Sequence, residues 1–210
     1  MKIGIIYLTL LLSVCSADVL QDAKKLYAKG AYLNAQKTLK NAGHAGNLKA
    51  QLMLADMYAN GRGIEQAYEK AFYWYEKAAK EGSAEAQYIL GVMYEQGRGV
   101  PLSLKEALLW YKKSAKKNHI DAQFNVASFY YEAKGVKQDL LQAAHFYQQA
   151  ANNGDAQAQY IIGQMFFKGE GVKKNKITTF LYWLEAAKQS HAKAQDNLDI
   201  LCKESPWACK

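Results

Sequence analysis

The chain repeats itself at a fixed interval of 36 residues, and an alanine followed by a glutamine marks each copy. The pairs are Ala50-Gln51, Ala86-Gln87, Ala122-Gln123, Ala158-Gln159 and Ala194-Gln195. Aromatic positions keep the same phase, as in Trp74 and Trp110, and so do glycines such as Gly63 and Gly99. A period of this length is typical of a supersecondary unit that stacks on copies of itself. It therefore constrains the fold more strongly than the composition does.

Each unit is predicted to be a helix, a loop and a second helix. In the first half of the unit, Ala50, Leu54 and Tyr58 fall on one helical face, and Ala71 and Tyr75 do so in the second half. Two such stripes allow each hairpin to bury its apolar side against its neighbours. We therefore expect an all-α fold, an α-solenoid of antiparallel two-helix repeats wound into a right-handed superhelix.

The period also sets the expected domain boundaries. Four full repeats are predicted at 48–83, 84–119, 120–155 and 156–191. A divergent helical hairpin at 18–47 and a capping helix with a tail at 192–210 are expected to cover the two ends, since a terminal unit needs a polar outer face.

The loop of each unit has two glycine positions, and only one of them is occupied by glycine in every unit. The later position is Gly in all four units, whereas the position two residues earlier is Ala133 in the third unit. We expect the later position, which includes Gly99, to need a positive φ or a close backbone approach.

The first seventeen residues have the pattern of a signal peptide. Lys2 precedes an apolar run, and small residues lead to a cleavage site before Asp18. The segment ending at Cys15 also resembles the lipobox of bacterial lipoproteins, but Val14 stands where that pattern has a small residue. We therefore expect cleavage after Ala17 and a periplasmic or secreted bacterial protein, with lipidation of Cys15 as the alternative.

Removal of residues 1–17 leaves two cysteines, Cys202 and Cys209. An even number of cysteines in an exported chain predicts one disulfide. Pro206 lies between them and ends a helix, which would let their Cα atoms approach more closely than they could on a continuous helix.

The formal net charge of +8 becomes +7 when Lys2 is removed, and the positive charge is spread along the chain with local pairs such as Lys173-Lys174. These lysines fit a solvated helix face, or attraction to anionic lipid, cell wall or an acidic partner. No nucleic-acid partner is expected, because the chain lacks a recognition motif that combines aromatic and basic residues.

The repeat resembles the Sel-1-like repeat (SLR) family, relatives of the tetratricopeptide repeats. The stretch from Ala84 to Val100, AEAQYILGVMYEQGRGV, follows the family pattern almost throughout, and Trp110-Tyr111 continue it. The resemblance implies an adaptor or scaffold that binds other proteins. It does not identify a ligand, because the matching residues are the packing residues.

A cysteine-rich branch of that family has been linked to β-lactam binding and hydrolysis, so a cell-wall enzyme is the alternative function that the resemblance implies. A third possibility is a structural stabiliser of an envelope complex. Ser-x-x-Lys strings begin at Ser114 and Ser190, but the accompanying serine β-lactamase elements are absent from the sequence. We predict no catalytic residue and no enzyme activity.

No metal or cofactor site is predicted either. None of the four histidines belongs to a two-histidine helix motif or to a cluster with zinc-ligand spacing. His119 and His191 instead occupy the position before a first helix, two repeats apart.

Two sets of positions on the first helices vary between units and are candidates for binding a protein or peptide on the concave face. The aromatic row is Leu52, Tyr88, Phe124 and Tyr160. The polar row, four residues later on the same face, is Asp56, Val92, Ser128 and Gln164. Aromatic groups interleaved with polar groups suit peptide recognition. The alternative is that the aromatic row packs between adjacent units and only the polar row meets solvent.

Overall fold

A computed structural model describes residues 19–209, and within that range the chain folds into eleven α-helices and one short 3₁₀ helix, with no β-strand. The helices are α1 (19–28), α2 (Tyr32–His44), α3 (Leu48–Asn60), α4 (Tyr68–Lys80), α5 (Ala84–Gln96), α6 (Leu104–Ala115), α7 (Ile120–Tyr131), α8 (Leu140–Asn152), α9 (Ala156–Lys168), α10 (Lys176–Lys188) and α11 (Ala192–Glu204). The 3₁₀ helix is Pro206–Cys209. The predicted signal peptide, its cleavage site before Asp18 and Cys15 lie outside the described residues.

The chain divides into two compact units, Met1–Ser103 and Leu104–Lys210. In the first unit α2, α3, α4 and α5 pack in sequence, each against the next. In the second unit the same holds from α6 through α11, and the 3₁₀ helix packs on α10 and α11. Helices that pack consecutively in this way form the predicted solenoid of two-helix repeats.

Every first helix from α3 onward begins at a side chain that caps it. Asn47, Ser83 and Asp155 accept hydrogen bonds from the backbone N–H three residues later, as expected. His119 and His191 do the same through Nδ1, with His191 Nδ1 lying 3.3 Å from Ala194 N. These histidines therefore cap the helices that follow them. The sequence pattern put both residues at the position before a first helix but did not predict their hydrogen bonds.

The glycine loops bring each repeat onto the one before it. All four glycines of the strict column have a positive φ. A Cβ atom at Gly99 would lie 2.5 Å from the backbone carbonyl of Tyr68, the first residue of α4. The other three glycines also meet the first residue of an earlier helix: Gly63 meets Tyr32, Gly135 meets Leu104 and Gly171 meets Leu140. Both of the expected reasons for glycine, conformation and close approach, therefore apply together.

The second helix of each repeat carries an aromatic residue that is almost completely buried. These residues are Tyr75, Tyr111, Tyr147 and Trp183. In the fourth repeat the indole of Trp183 lies where a side chain on Gly163 would be, 2.5 Å from the position of its Cβ. The indole Nε1 donates a hydrogen bond of 3.1 Å to the carbonyl oxygen of Tyr160. Small residues in α9 are thus required by the size of the ring that packs on them.

The glutamine of the marker pair connects each repeat to the preceding helix. Gln51, Gln87, Gln123 and Gln159 are buried, and each Nε2 donates to the carbonyl oxygen eight residues earlier. The acceptors are Gly43, Ala79, Ala115 and Ala151, near the C-terminal ends of α2, α4, α6 and α8. Each of these carbonyl groups also accepts a hydrogen bond from the backbone N–H three residues later, so the glutamine adds a second donor at the end of the helix.

The C-terminal segment is closed by a bond between Cys202 and Cys209, whose Cα atoms lie 5.7 Å apart. Helix α11 ends at Glu204, and Ser205, with φ −140° and ψ 67°, leaves the helical conformation ahead of Pro206. The turn brings the two cysteines together as the sequence predicts. Within this segment the side chains of Ser205 and Ala208 are buried, whereas Trp207 is 62% exposed.

Candidate protein-binding surface

In the first unit, four candidate residues lie on α3 and α5, and one of them, Leu52, is half-buried on α3. Asp56 is exposed, and its Oδ1 accepts a hydrogen bond from the hydroxyl of Tyr75. Tyr88 and Val92 are half-buried on α5. The carboxylate of Asp56 is therefore fixed in place by a buried tyrosine while one side of it remains open to solvent.

In the second unit, the candidates on α7 are more enclosed than the sequence indicates. The half-buried ring of Phe124 packs edge-on against Tyr147 of α8, with 5.4 Å between ring centroids. Ser128 is only 9% exposed, and its hydroxyl donates to Glu132 Oε1 at 3.0 Å. The expectation that the polar row meets solvent is wrong for Ser128, which is buried and hydrogen-bonded to Tyr147 of α8 as well as to Glu132.

The candidates on α9 form a connected group. The ring of Tyr160 stacks on His191 with 4.6 Å between centroids and lies over Trp183 at 6.5 Å. Gln164 Nε2 donates a 2.8 Å hydrogen bond to the Tyr160 hydroxyl. Both residues are half-buried, so their positions are fixed by packing while part of each stays accessible.

Two members of the aromatic row pack on neighbouring side chains and still keep part of their surface accessible. Phe124 and Tyr160 pack on the second helix of their own repeat, and Tyr160 also packs on the cap of the next helix. Neither side chain is buried completely. Of the polar row, Asp56 is open, Val92 and Gln164 are partly covered and Ser128 is enclosed.

Burial and nearby hydrogen bonds shift the pKa values of several side chains close to the candidate residues. Burial first, and then the hydrogen bond to Asp56, raises the pKa of Tyr75 far above its ordinary value of 10.0. Burial likewise raises the pKa of Tyr147 and, together with a hydrogen bond to Glu170, that of Tyr131. A hydrogen bond from Lys134 lowers the pKa of Glu132. Each of these shifts reinforces the ordinary protonation state at neutral pH, which is unlike the tuning of a general acid or base.

The two serines of the Ser-x-x-Lys strings occupy structural positions. Ser114 is fully buried in α6, so its hydroxyl is closed to a substrate. Ser190 lies in the turn after α10 with a φ of +65°. Among residues 19–209, no group of three or more His, Cys, Asp or Glu side chains is placed to hold a metal ion.

A cleft at the end of the second unit has no counterpart in the sequence predictions. This C-terminal cleft, of about 760 Å³, lies between the end of α9, the start of α10 and the 3₁₀ helix. Its walls include Phe167, Lys168, Lys174, Lys176, Ile177 and Trp207. The Lys173-Lys174 pair in the sequence indicated positive charge in this region. The cleft itself could not be predicted, because it depends on where the tail folds and the repeat period does not determine that position.

Within the described residues, no helix combines the length and the apolar character needed to cross a membrane.

Comparison with known proteins shows where this architecture recurs. The sequence matches the Sel1 repeat over residues 48–83, 84–119, 120–155 and 156–191. A Sel1 repeat protein from Oxalobacter formigenes is similar, with 33% identity, 85% of this chain and 74% of that chain covered, and a TM-score of 0.78. No curated protein matches the chain.

A second similar structure belongs to a protective antigen with an SLR fold, present in uropathogenic Escherichia coli strains. It shares 29% identity with a TM-score of 0.79, and the match covers 87% of this chain but only 40% of that one. A putative Sel1 repeat protein from Klebsiella pneumoniae, at 19% identity over 89% of this chain and 92% of its own with a TM-score of 0.50, shares the fold alone.

The matched residues are the ones that the structure uses to pack one repeat on another: the capped first helices, the buried glutamines and the loop glycines. Proteins built from these repeats are protein-interaction scaffolds, mostly without enzymatic activity. Because the match extends over four consecutive repeats and most of the described residues, this chain belongs to the Sel1 repeat family.

Proposed function

We propose that this protein is an exported scaffold that binds a protein or peptide along the first helices of its repeats, the face expected to be concave. The observation that carries the proposal is the group on α9. The Tyr160 hydroxyl and the Gln164 amide are hydrogen-bonded to each other at 2.8 Å, held by the stacked His191 ring, and still partly accessible.

Such a group lowers the cost of binding. A partner that meets side chains already fixed by packing does not have to order them, and aromatic residues contribute strongly to protein interfaces. Both positions lie in rows that differ from repeat to repeat, so the packing of the solenoid does not require these residue types. The surface on α3 and α5, with the fixed carboxylate of Asp56, offers the same combination in the first unit.

Export is the second part of the proposal. The signal-peptide pattern of residues 1–17 supports it, and so does a single cysteine pair placed to form a disulfide. The similarity to a protective antigen fits a location that a host can reach. Mass spectrometry of the protein purified from its native host should give an N-terminus at Asp18. An intact Met1 would contradict export, and a lipidated Cys15 would replace the soluble form with a lipoprotein.

The binding surface can be tested with two matched variants. Gln164→Lys places a new charge on a first helix, and Gln149→Lys places the same charge on a second helix, at a residue that is also half-buried. A photo-crosslinking residue at position 164 identifies the partner in the native host, and the affinity of the purified partner is then measured for both variants.

We expect Gln164→Lys to weaken binding and Gln149→Lys to leave it unchanged, with circular dichroism showing intact helices in both. Equal affinities for the two variants would place the binding site elsewhere. Labelled penicillin added to the wild-type protein provides a separate control, and covalent labelling would favour the β-lactam enzyme.

A further inference from the structure

The last turn of the chain presents a tryptophan in a fixed position. Ser205 and Ala208, which flank the Pro206-Trp207 pair, are 1% and 5% exposed, whereas Trp207 is 62% exposed. The Cys202–Cys209 bond closes the segment covalently, and the 3₁₀ helix packs on α10 and α11. A large apolar ring is thus held away from the core by a backbone that is anchored on both sides.

An aromatic residue held in this way is suited to binding. The anchored backbone leaves a ligand little main-chain freedom to restrict, and tryptophan is among the residue types that dominate interface energies. Phe167 and Ile177 stand in the same cleft and are 39% and 52% exposed. The three side chains supply apolar walls that the fold itself leaves uncovered.

The polar lining of the C-terminal cleft is basic. Lys168, Lys174 and Lys176 contribute to its walls, and no carboxylate among the described residues does. Lys176 Nζ donates to Ser205 Oγ at 2.7 Å, and Lys168 Nζ lies 3.6 Å from Glu170 Oε1. Of the three lysines, Lys168 lies beside a carboxylate and Lys176 is hydrogen-bonded to a neutral hydroxyl, so the lining of the cleft keeps a surplus of positive charge beside its apolar walls.

We propose that the C-terminal cleft binds an acidic peptide segment of a partner protein, in which one aromatic or aliphatic side chain is flanked by carboxylates. The apolar side chain lies against Trp207, Phe167 and Ile177, and the carboxylates pair with the lysines. This second surface goes beyond the proposed function, because it lies outside the two rows on the first helices. A concave cleft favours a narrow peptide over a flat membrane surface.

The test uses the full chain with its disulfide formed and short fluorescent peptides as probes. The sequence Glu-Glu-Phe-Glu-Glu is compared with Glu-Glu-Ser-Glu-Glu and Lys-Lys-Phe-Lys-Lys by fluorescence anisotropy. Trp207→Ala removes the anchor, and Leu181→Ala is the matched control, since Leu181 is 54% exposed on α10 but does not line the cleft. Thermal unfolding checks that both variants are folded.

We expect the acidic phenylalanine peptide to bind more tightly than the other two. Trp207→Ala should weaken it about tenfold, a normal effect for truncating an interface anchor. Lys174→Gln should weaken it about threefold, and added salt should reduce the effect of that lysine. Leu181→Ala should leave the affinity unchanged, because this side chain does not line the cleft.

Two results would overturn the proposal. One is that the acidic peptide fails to bind, or binds equally well to Trp207→Ala. The other is that vesicles of anionic phospholipid bind in a Trp207-dependent way while the peptide does not, which would make this surface a membrane contact. Either result leaves the proposed function on the first helices intact.

Discussion

Gly99 lies directly against the first residue of α4: a Cβ atom on this glycine would come within 2.5 Å of the backbone carbonyl of Tyr68. Gly97, two residues earlier, has a similar φ of +66° compared with +73°, but its Cβ atom would meet Leu102 at 3.3 Å. Conformation alone therefore does not distinguish the two glycines, and close approach to the preceding repeat does.

The first prediction compares alanine at these two positions. Gly99→Ala should lower the free energy of unfolding by about 1 kcal/mol or more, because the positive φ and the clash with α4 act together. Gly97→Ala should cost less, since the third repeat already accepts Ala133 at that position with a φ of +58°. Urea unfolding measures both, and equal midpoints would contradict the role assigned to the close approach.

The second prediction concerns the buried glutamines. Gln51 Nε2 donates both to Gly43 and to Glu81 Oε1, while Gln51 Oε1 has no hydrogen-bond partner. In the fourth repeat, Gln189 stands in the position of Glu81, and its amide donates to Gln159 Oε1 at 2.9 Å. Glu81→Gln should supply the missing donor and raise the free energy of unfolding by about 1 kcal/mol.

The reverse change is the control for this argument. Gln189→Glu replaces the donor with a carboxylate and should destabilise the fourth repeat by a similar amount. Opposite signs in urea unfolding support the explanation, whereas two variants that shift stability in the same direction would refute it.

The third prediction concerns the turn between repeats. Ser190 adopts a φ of +65°, in a position where Gly82 and Gly154 occur in other repeats. Ser190→Gly should stabilise the fold by about 0.5–1 kcal/mol, because the left-handed conformation is costly for a residue with a Cβ atom. Gly154→Ser should have the opposite effect. Differential scanning calorimetry of the two variants would show the predicted pair of shifts in the melting temperature.

The fourth prediction concerns alkaline stability. Because burial raises the pKa of Tyr75 above 10.0, the unfolded chain releases this proton at a lower pH than the folded chain does. The stabilising effect is complete below about pH 10 and is lost as the pH rises towards the folded pKa. Tyr75→Phe should reduce the loss of stability above pH 10 by about 1.4 kcal/mol per pH unit.

Urea unfolding between about pH 9 and pH 11 measures this slope. Tyr73→Phe, on the exposed face of the same helix, is the matched control. Identical slopes for the two variants would rule out burial of Tyr75 as the cause.

The fifth prediction concerns the disulfide. Protein isolated from an oxidising compartment should show no free thiol from Cys202 or Cys209 under denaturing, non-reducing conditions. Cys209→Ser should lower the free energy of unfolding by about 2–3 kcal/mol, as estimated from the entropy of closing a short loop. Two reactive thiols in the protein isolated in this way would show that the bond does not form in the cell.

Much of the fold could be predicted because the same pattern of packing residues occurs in four consecutive repeats. The alternating stripes on α3 and α4 and the strict glycines follow from residue types alone. The hydrogen bond of Gln51 to Gly43 could not be predicted. A glutamine that recurs at the same position of every repeat indicates that its side chain is needed, but it does not show which atom the side chain binds. Ser128 is buried and hydrogen-bonded to Tyr147 of another helix, which a row of variable positions does not reveal.

The C-terminal cleft could not be predicted from the 36-residue period for a different reason. Its walls come from the end of α9, the start of α10 with the loop before it, and the tail that follows the last repeat. Trp207 occurs once, so no second copy indicates its orientation, and that orientation depends on the turn at Ser205 and on the bond between Cys202 and Cys209.

The bond from each buried glutamine to a backbone carbonyl has a consequence for how such chains change over time. A carbonyl oxygen is present whatever residue occupies the preceding helix end, as the acceptors Gly43 and Ala79 illustrate. A duplicated or deleted segment of one period would therefore find an acceptable partner at its new junction without compensating substitutions. The number of repeats in this lineage can accordingly grow or shrink by recombination while every junction remains hydrogen-bonded.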